Sequence, residues 1–204
     1  MRRASIKGAR SGFTLVEVIA ALAIVGLVLA NMAIVTRTGS SATRSGVFQA
    51  SLNDELDLTL DRITLALMGT SEDEIVGPPM APACSDYVHY TRRLGYEDGA
   101  PVTSDPESIV WEPSAGVSGH VVWAVNGGEM TEREITWSRA VPDAFLAEIG
   151  SNGEDDNGNG LLDEHGLAFT KEGDRVDIYL TVEKLDENGE LAQEAETFTV
   201  TCRN

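Results

Sequence analysis

The sequence predicts an α+β protein: a long N-terminal helix, transmembrane and then amphipathic, packed on an antiparallel β-sheet head. Three observations carry this. Residues 13–35 form an apolar run broken by a single acid. Leu52, Leu56, Ile63 and Leu67 recur at steps that fall on one helical face. Residues 175–183 and 197–202 alternate apolar and polar on either side of an Asn188-Gly189 turn signal. With 204 residues, 42% of them hydrophobic, the chain suits one anchored domain with a real core and not comfortably two.

Every charge before Phe13 is basic: Arg2, Arg3, Lys7 and Arg10. As a helix, residues 13–35 reach about 34 Å at ~1.5 Å per residue. That crosses a bilayer core of ~30 Å. Basic residues on the N-terminal side predict that this end stays in the cytoplasm and the rest is exported. Glu17 does not belong in such a run, since a charge at mid-bilayer costs on the order of 2.5–3.5 kcal/mol. An ordinary secretory signal has no use for an acid in its apolar region. A cut after Gly12 would supply a reason, because Phe13 would then carry a free α-amine able to pair with a carboxylate. The competing readings are a conventional signal cut near Ala30, a twin-arginine signal at Arg2-Arg3, and an unprocessed anchor.

Gly12-Phe13-Thr14-Leu15-Val16-Glu17 resembles the processing site of type IV prepilins and type II secretion pseudopilins. The resemblance covers about 25 residues of leader and anchor. It implies cleavage after Gly12 by a membrane prepilin peptidase and N-methylation of Phe13. It also implies that Glu17 serves methylation and assembly, pairing with a neighbouring subunit's N-terminal amine. The implied partners are that peptidase, other pilins or pseudopilins and an inner-membrane assembly platform. The implied location is the bacterial inner membrane, single-pass, with the head in the periplasm. The division expected is a cleaved leader over 1–12, a transmembrane and assembly segment over 13–35, an amphipathic helix over 36–69 and a β-rich head over 70–204.

In the amphipathic part, Leu58 and Leu65 are expected to broaden the apolar stripe, and Gly69 to end the helix. Gly39, Ser40, Ser41 and Gly46 are expected to weaken or bend the helix between its two parts. Pro78, Pro79 and Pro82 end any helical reading. Strands are expected over 87–92, 120–125, 134–138, 175–183 and 197–202. Val176, Ile178, Leu180 and Val182 should share one face, and Phe198, Val200 and Cys202 another. The last two strands should form a hairpin laid on the helix.

Residues 152–164 form an acidic loop rich in Asn and Gly. Asp155, Asn157 and Asn159 occupy positions 1, 3 and 5 of an EF-hand-type pattern, with Gly160 at position 6. Leu161 would offer a carbonyl and Asp163 would sit at position 9. Position 12 is Gly166 rather than Glu, and Glu164 is placed to fill that gap. The pattern predicts a Ca2+ site; the alternative is a solvated turn. Export would also allow Cys84 and Cys202 to pair, pinning the last strand to the segment after the helix. Two separate buried thiols are the alternative.

The formal charge is −18, and loss of residues 1–12 takes it to −22. So acidic a surface argues against nucleic acid as a partner. His89, His120 and His165 show no zinc spacing, no serine is tied to a histidine and an acid, and no phosphate loop occurs. Trp111, Trp123 and Trp137 lie in strand-like stretches and read as packing. No enzyme constellation is present. The reading is a structural subunit of a periplasmic pseudopilus, a minor pseudopilin of type II secretion. Its length and C-terminal hairpin resemble the J-type. The alternatives are a minor pilin of a type IV or DNA-uptake pilus, or a calcium-dependent binding or adhesion module on a pilin-type anchor.

Overall fold

The computed structural model describes residues 14–115, 118–127, 132–150, 152–186 and 188–202. The chain divides into two compact units, Met1–Val47 and Phe48–Asn204. One helix, α1 (Leu15–Leu67), contributes to both. Gly39 and Gly46 do not interrupt it: helical geometry runs unbroken through both. A glycine costs a helix only about 1 kcal/mol against alanine, and neighbouring turns absorb that.

In the first unit α1 is long and apolar enough to cross a membrane. Its large apolar side chains, Leu15, Ile19, Leu22 and Leu27 among them, are exposed. The polar side chains fold back onto the helix. Asn31 Nδ2 donates to the Leu27 carbonyl at 3.0 Å and Thr36 Oγ1 to the Met32 carbonyl at 2.8 Å. A polar group that returns to its own backbone needs no partner from an apolar solvent.

In the second unit α1 buries Leu52, Leu56, Leu60, Ile63 and Leu67. Steps of three and four keep these residues on one face. Leu58 and Leu65, expected to widen the stripe, are 50% and 72% exposed. Each lies two residues from a buried leucine or isoleucine, about 200° around the helix. The helix ends at Leu67, just before Gly69, and Thr70 N–H closes on the Leu67 carbonyl at 3.0 Å.

Among the described residues the head holds ten strands: β1 (Ile75–Val76), β2 (Tyr87–Tyr90), β3 (Arg93–Glu97), β4 (Ala100–Thr103), β5 (Glu107–Glu112), β6 (Gly119–Val125), β7 (Arg133–Val141), β8 (Leu167–Glu172), β9 (Arg175–Leu185) and β10 (Leu191–Thr201). One sheet runs β1-β2-β5-β6-β7 and a second runs β10-β9-β8. All their pairings are antiparallel. β3 and β4 form a separate exposed hairpin. A bridge from Ser85 to Phe169 links the first sheet's approach to β8. Val88, Ile109, Val121 and Val141 from the first sheet meet Phe169, Ile178, Leu180 and Val200 from the second, together with the helical leucines, in one core.

The β9–β10 hairpin forms as expected, with Asp186 receiving the Asn188 and Glu190 N–H groups, both at 2.8 Å, across the turn. Val176, Ile178, Leu180 and Val182 are all fully buried. Val200 and Cys202 are buried too, but Phe198 is 42% exposed. β10 is an edge strand, and its alternation outruns the core beneath it. Polar clasps fix the helix to the head. Ser138 Oγ donates to Glu55 Oε1 at 2.8 Å, Lys184 Nζ reaches Glu55 Oε2 at 3.5 Å, and Arg62 Nη1 donates to the Trp137 carbonyl at 3.1 Å. The tryptophans pack as expected: Trp123 stacks on Trp137 with centroids 6.1 Å apart, and Trp111 on His165 at 4.6 Å.

Candidate functional site

At the head of α1, Thr14 precedes the first helical residue and Glu17 lies in the first turn. Thr14 N–H and Oγ1 both donate to Glu17 Oε2, at 2.9 and 3.0 Å. Glu17 N–H returns to Thr14 Oγ1 at 3.3 Å. This reciprocal pair satisfies helix N–H groups that have no intrahelical acceptor, in the manner of a capping box. The Thr-x-x-Glu spacing ahead of an apolar run is the signal for it. The acid therefore has an intramolecular partner within the helix that carries it. Gly12 and Phe13, the expected processing residues, lie outside the described residues.

The acidic loop lies between β7 and β8. Asp155 folds its carboxylate inward: Oδ1 accepts Gly158 N–H at 2.6 Å and Asn159 N–H at 3.1 Å, and Oδ2 accepts Gly160 N–H at 2.9 Å. Gly158 and Gly160 have φ of 76° and 91°, a region side chains avoid, and so let the chain wrap that carboxylate. Asp163 is drawn the other way, accepting Asn152 N–H at 2.5 Å and Gly153 N–H at 2.9 Å. Leu161 buries its side chain and donates its N–H to Asn159 Oδ1 at 2.9 Å. Asn157 and Asn159 converge on one atom, Glu164 Oε1, at 2.6 and 2.5 Å. The structure thus brings Asn157, Asn159 and Glu164 together and commits Asp155 and Asp163 to the backbone.

Glu148 is the residue that sequence reasoning missed. It sits in a short turn, its N–H on the Phe145 carbonyl, and Phe145 N–H on the Glu164 carbonyl at 3.0 Å. No periodicity marks it; only the fold carries it to the loop. Glu148 is 9% exposed and Glu164 1%. Burial, and then the neighbouring Glu164, Asp156 and Asp155 carboxylates, push the Glu148 pKa upward. Among the described residues no three His, Cys, Asp or Glu side chains form a ready metal cluster. The unpartnered groups here are carboxylate oxygens of two glutamates, the hard-donor chemistry that suits calcium.

Cys84 and Cys202 are free thiols, so the expected disulfide is not formed. Cys84 reaches the Leu162 carbonyl at 3.8 Å beside the acidic loop, next to the Ser85–Phe169 bridge. Cys202 is held at the β8–β9 turn by its N–H on the Asp174 carbonyl at 2.7 Å. Burial, and then the acid charges led by Glu164, push the Cys84 thiol up to about 11.

The profile of the prokaryotic N-terminal methylation motif matches residues 7–30. Comparison with curated proteins and with solved structures gives no match. The motif match, with the apolar helix that follows, supports a type IV pilin-like chain. The pattern fits a membrane-anchored, single-pass chain and points to a structural subunit of a pilus or pseudopilus. The prepilin signal implies processing by a prepilin peptidase and assembly with other pilins.

Proposed function

We propose that this chain is a minor pseudopilin of type II protein secretion, anchored in the inner membrane with its head in the periplasm. The observation that carries the reading is Glu17, an acid retained in the first turn of a helix otherwise fit for lipid, directly after a prepilin-type signal. A charge there is costly and so answers to a function that lipid does not supply. In the proposed role it meets the new α-amine of a neighbour's Phe13 as subunits stack. The head supports a minor rather than a bulk subunit. It is large, strongly acidic and built of two sheets and a C-terminal hairpin, the feature on which the J-type assignment rests.

The test is mass spectrometry of the membrane-extracted protein, with crosslinking to sibling pseudopilins. The expected mature chain begins at N-methylated Phe13 and crosslinks within a pseudopilus. An intact Met1, or a start near residue 31, overturns the reading. Crosslinks to a surface pilus instead would assign the chain to a type IV or DNA-uptake pilus as a minor pilin.

A further inference from the structure

The head treats its buried acids unequally. Glu107, 4% exposed, is fully served: Arg92 Nε donates to Oε1 at 2.6 Å, while Tyr90 Oη and Trp123 Nε1 each donate to Oε2 at 3.0 Å. Glu183, also 4% exposed, takes Ser118 Oγ and Gln193 Nε2. Glu148 and Glu164 break this pattern. Both oxygens of Glu148, and Oε2 of Glu164, are buried with no hydrogen-bond partner among the described residues. The two carboxylates also face each other's charge. Glu164 Oε1 is served by the Asn157 and Asn159 amides and the Asp156 N–H eases the Glu148 charge, but three buried carboxylate oxygens keep no close donor, and such a pair calls for a cation.

We propose that Glu148 and Glu164 are the charged ligands of a structural Ca2+ site, with Asn157 and Asn159 beside them and Asp155 and Asp163 as formers of the loop. The donor chemistry argues for this ion. The unpartnered groups, both Glu148 oxygens and Glu164 Oε2, are hard oxygens. Two carboxylates match one divalent charge. A glycine-rich loop adapts to the 6–8 ligands calcium takes more readily than to the strict octahedron of Mg2+. The site joins two stretches of the β7–β8 connection, the turn at residues 145–148 and the loop at 152–164, and so closes that connection on itself. It does not depend on which assembly the chain joins, and its failure would leave that reading untouched.

The experiment uses the full mature chain in detergent micelles, stripped with chelator at pH 7.5. Equilibrium dialysis against Ca2+ should find one ion per chain, with a Kd on the order of 10⁻⁴–10⁻³ M, as in extracellular modules. Glu148→Gln and Glu164→Gln should each weaken binding by about 10-fold or more, as expected when a charged ligand is lost. With chelator, the double variant should melt no lower than wild type, because the repulsion is relieved. With Ca2+ the order should reverse. Trp111, stacked on His165 next to Glu164, should report the ion through its fluorescence. No binding by wild type at 5 mM Ca2+ (about five times the upper Kd limit) overturns the proposal. So does Glu148→Gln binding as tightly as wild type, or Mg2+ binding as tightly as Ca2+.

Discussion

Thr14 and Glu17 cap each other across the first turn of α1, through the Thr14 amide and hydroxyl on Glu17 Oε2 and the Glu17 amide on the Thr14 hydroxyl. A single carboxylate thus has a local role, ending the helix, and a proposed intermolecular one. Two substitutions separate them. Thr14→Ala removes the local partner and should leave crosslinking to sibling subunits largely intact. Glu17→Ala should insert into the membrane as well as wild type and lose those crosslinks. Carbonate extraction reads the first property and in vivo crosslinking the second. Equal loss in both variants would reduce Glu17 to a helix cap.

The helix face makes a sharper test of packing. Phe169 and Ile63 are fully buried in the common core. Phe169→Ala should cost about 3–5 kcal/mol and Ile63→Ala about 2–5 kcal/mol. Leu58→Ala and Leu65→Ala should stay within ~0.5 kcal/mol, as for surface changes. Denaturant unfolding of the chain in micelles measures all four. A large loss at Leu65 would mean that its face is covered in solution.

The Glu107 cluster predicts a graded response. Tyr90→Phe removes one donor of several and should cost about 1 kcal/mol. Glu107→Ala strands the Tyr90 hydroxyl proton and the Arg92 guanidinium, while the Trp123 N–H keeps Tyr90 Oη as acceptor at 3.0 Å. Arg92 is half exposed and can recover water, so the loss should be about 2–3 kcal/mol rather than the full cost of a broken buried pair. Burial, and then the Glu107 charge, raise the Tyr90 pKa above its ordinary value. The neutral phenol is therefore favoured in the folded state. Its stabilisation is whole below the unfolded pKa of about 10 and is lost as pH rises toward the folded value. Phenolate absorbance should show one tyrosine that ionises only as the head unfolds. A fully reversible titration of all four near pH 10 would contradict the buried placement.

The thiols give the simplest check. A non-reducing peptide map should find Cys84 and Cys202 both free to alkylation after unfolding. Cys84→Ser should cost no more than about 1 kcal/mol, against the 2–5 kcal/mol that removing a native disulfide takes. A melt that falls on adding reductant would show that the two do pair.

Much of this architecture is legible in residue order, because packing leaves a periodic trace. Leu52, Leu56, Ile63 and Leu67 announce the helix face, and Val176 through Val182 with Asn188-Gly189 announce the final hairpin. The β3–β4 hairpin leaves no such trace. All four residues of β4 and nearly all of β3 are exposed, so no inside-outside contrast exists to read. Its signature was only the turn, Asp98-Gly99, with φ of 52° and 81°. At the acidic loop, side-chain spacing revealed Asn157, Asn159 and Glu164. It could not reveal Glu148, whose place depends on how two turns dock. Nor could spacing tell an acid that faces inward to the backbone, such as Asp155, from one that faces a ligand. Cys202 shows the same limit: its inward parity was legible, and whether Cys84 lies close enough to pair with it was not.

β10 ends its sheet with a row of backbone groups that no neighbouring strand in that sheet occupies. An open edge of eleven residues is a template on which a second copy could zip, and runaway stacking of that kind ends in fibres. Its charges oppose this. Glu194 and Glu196 stand on β10, and no lysine or arginine does. Two copies aligned edge to edge would set acid against acid, a penalty that grows as salt is withdrawn. The strand thus guards its own edge by sign, holding like copies apart wherever salt leaves the charges unscreened.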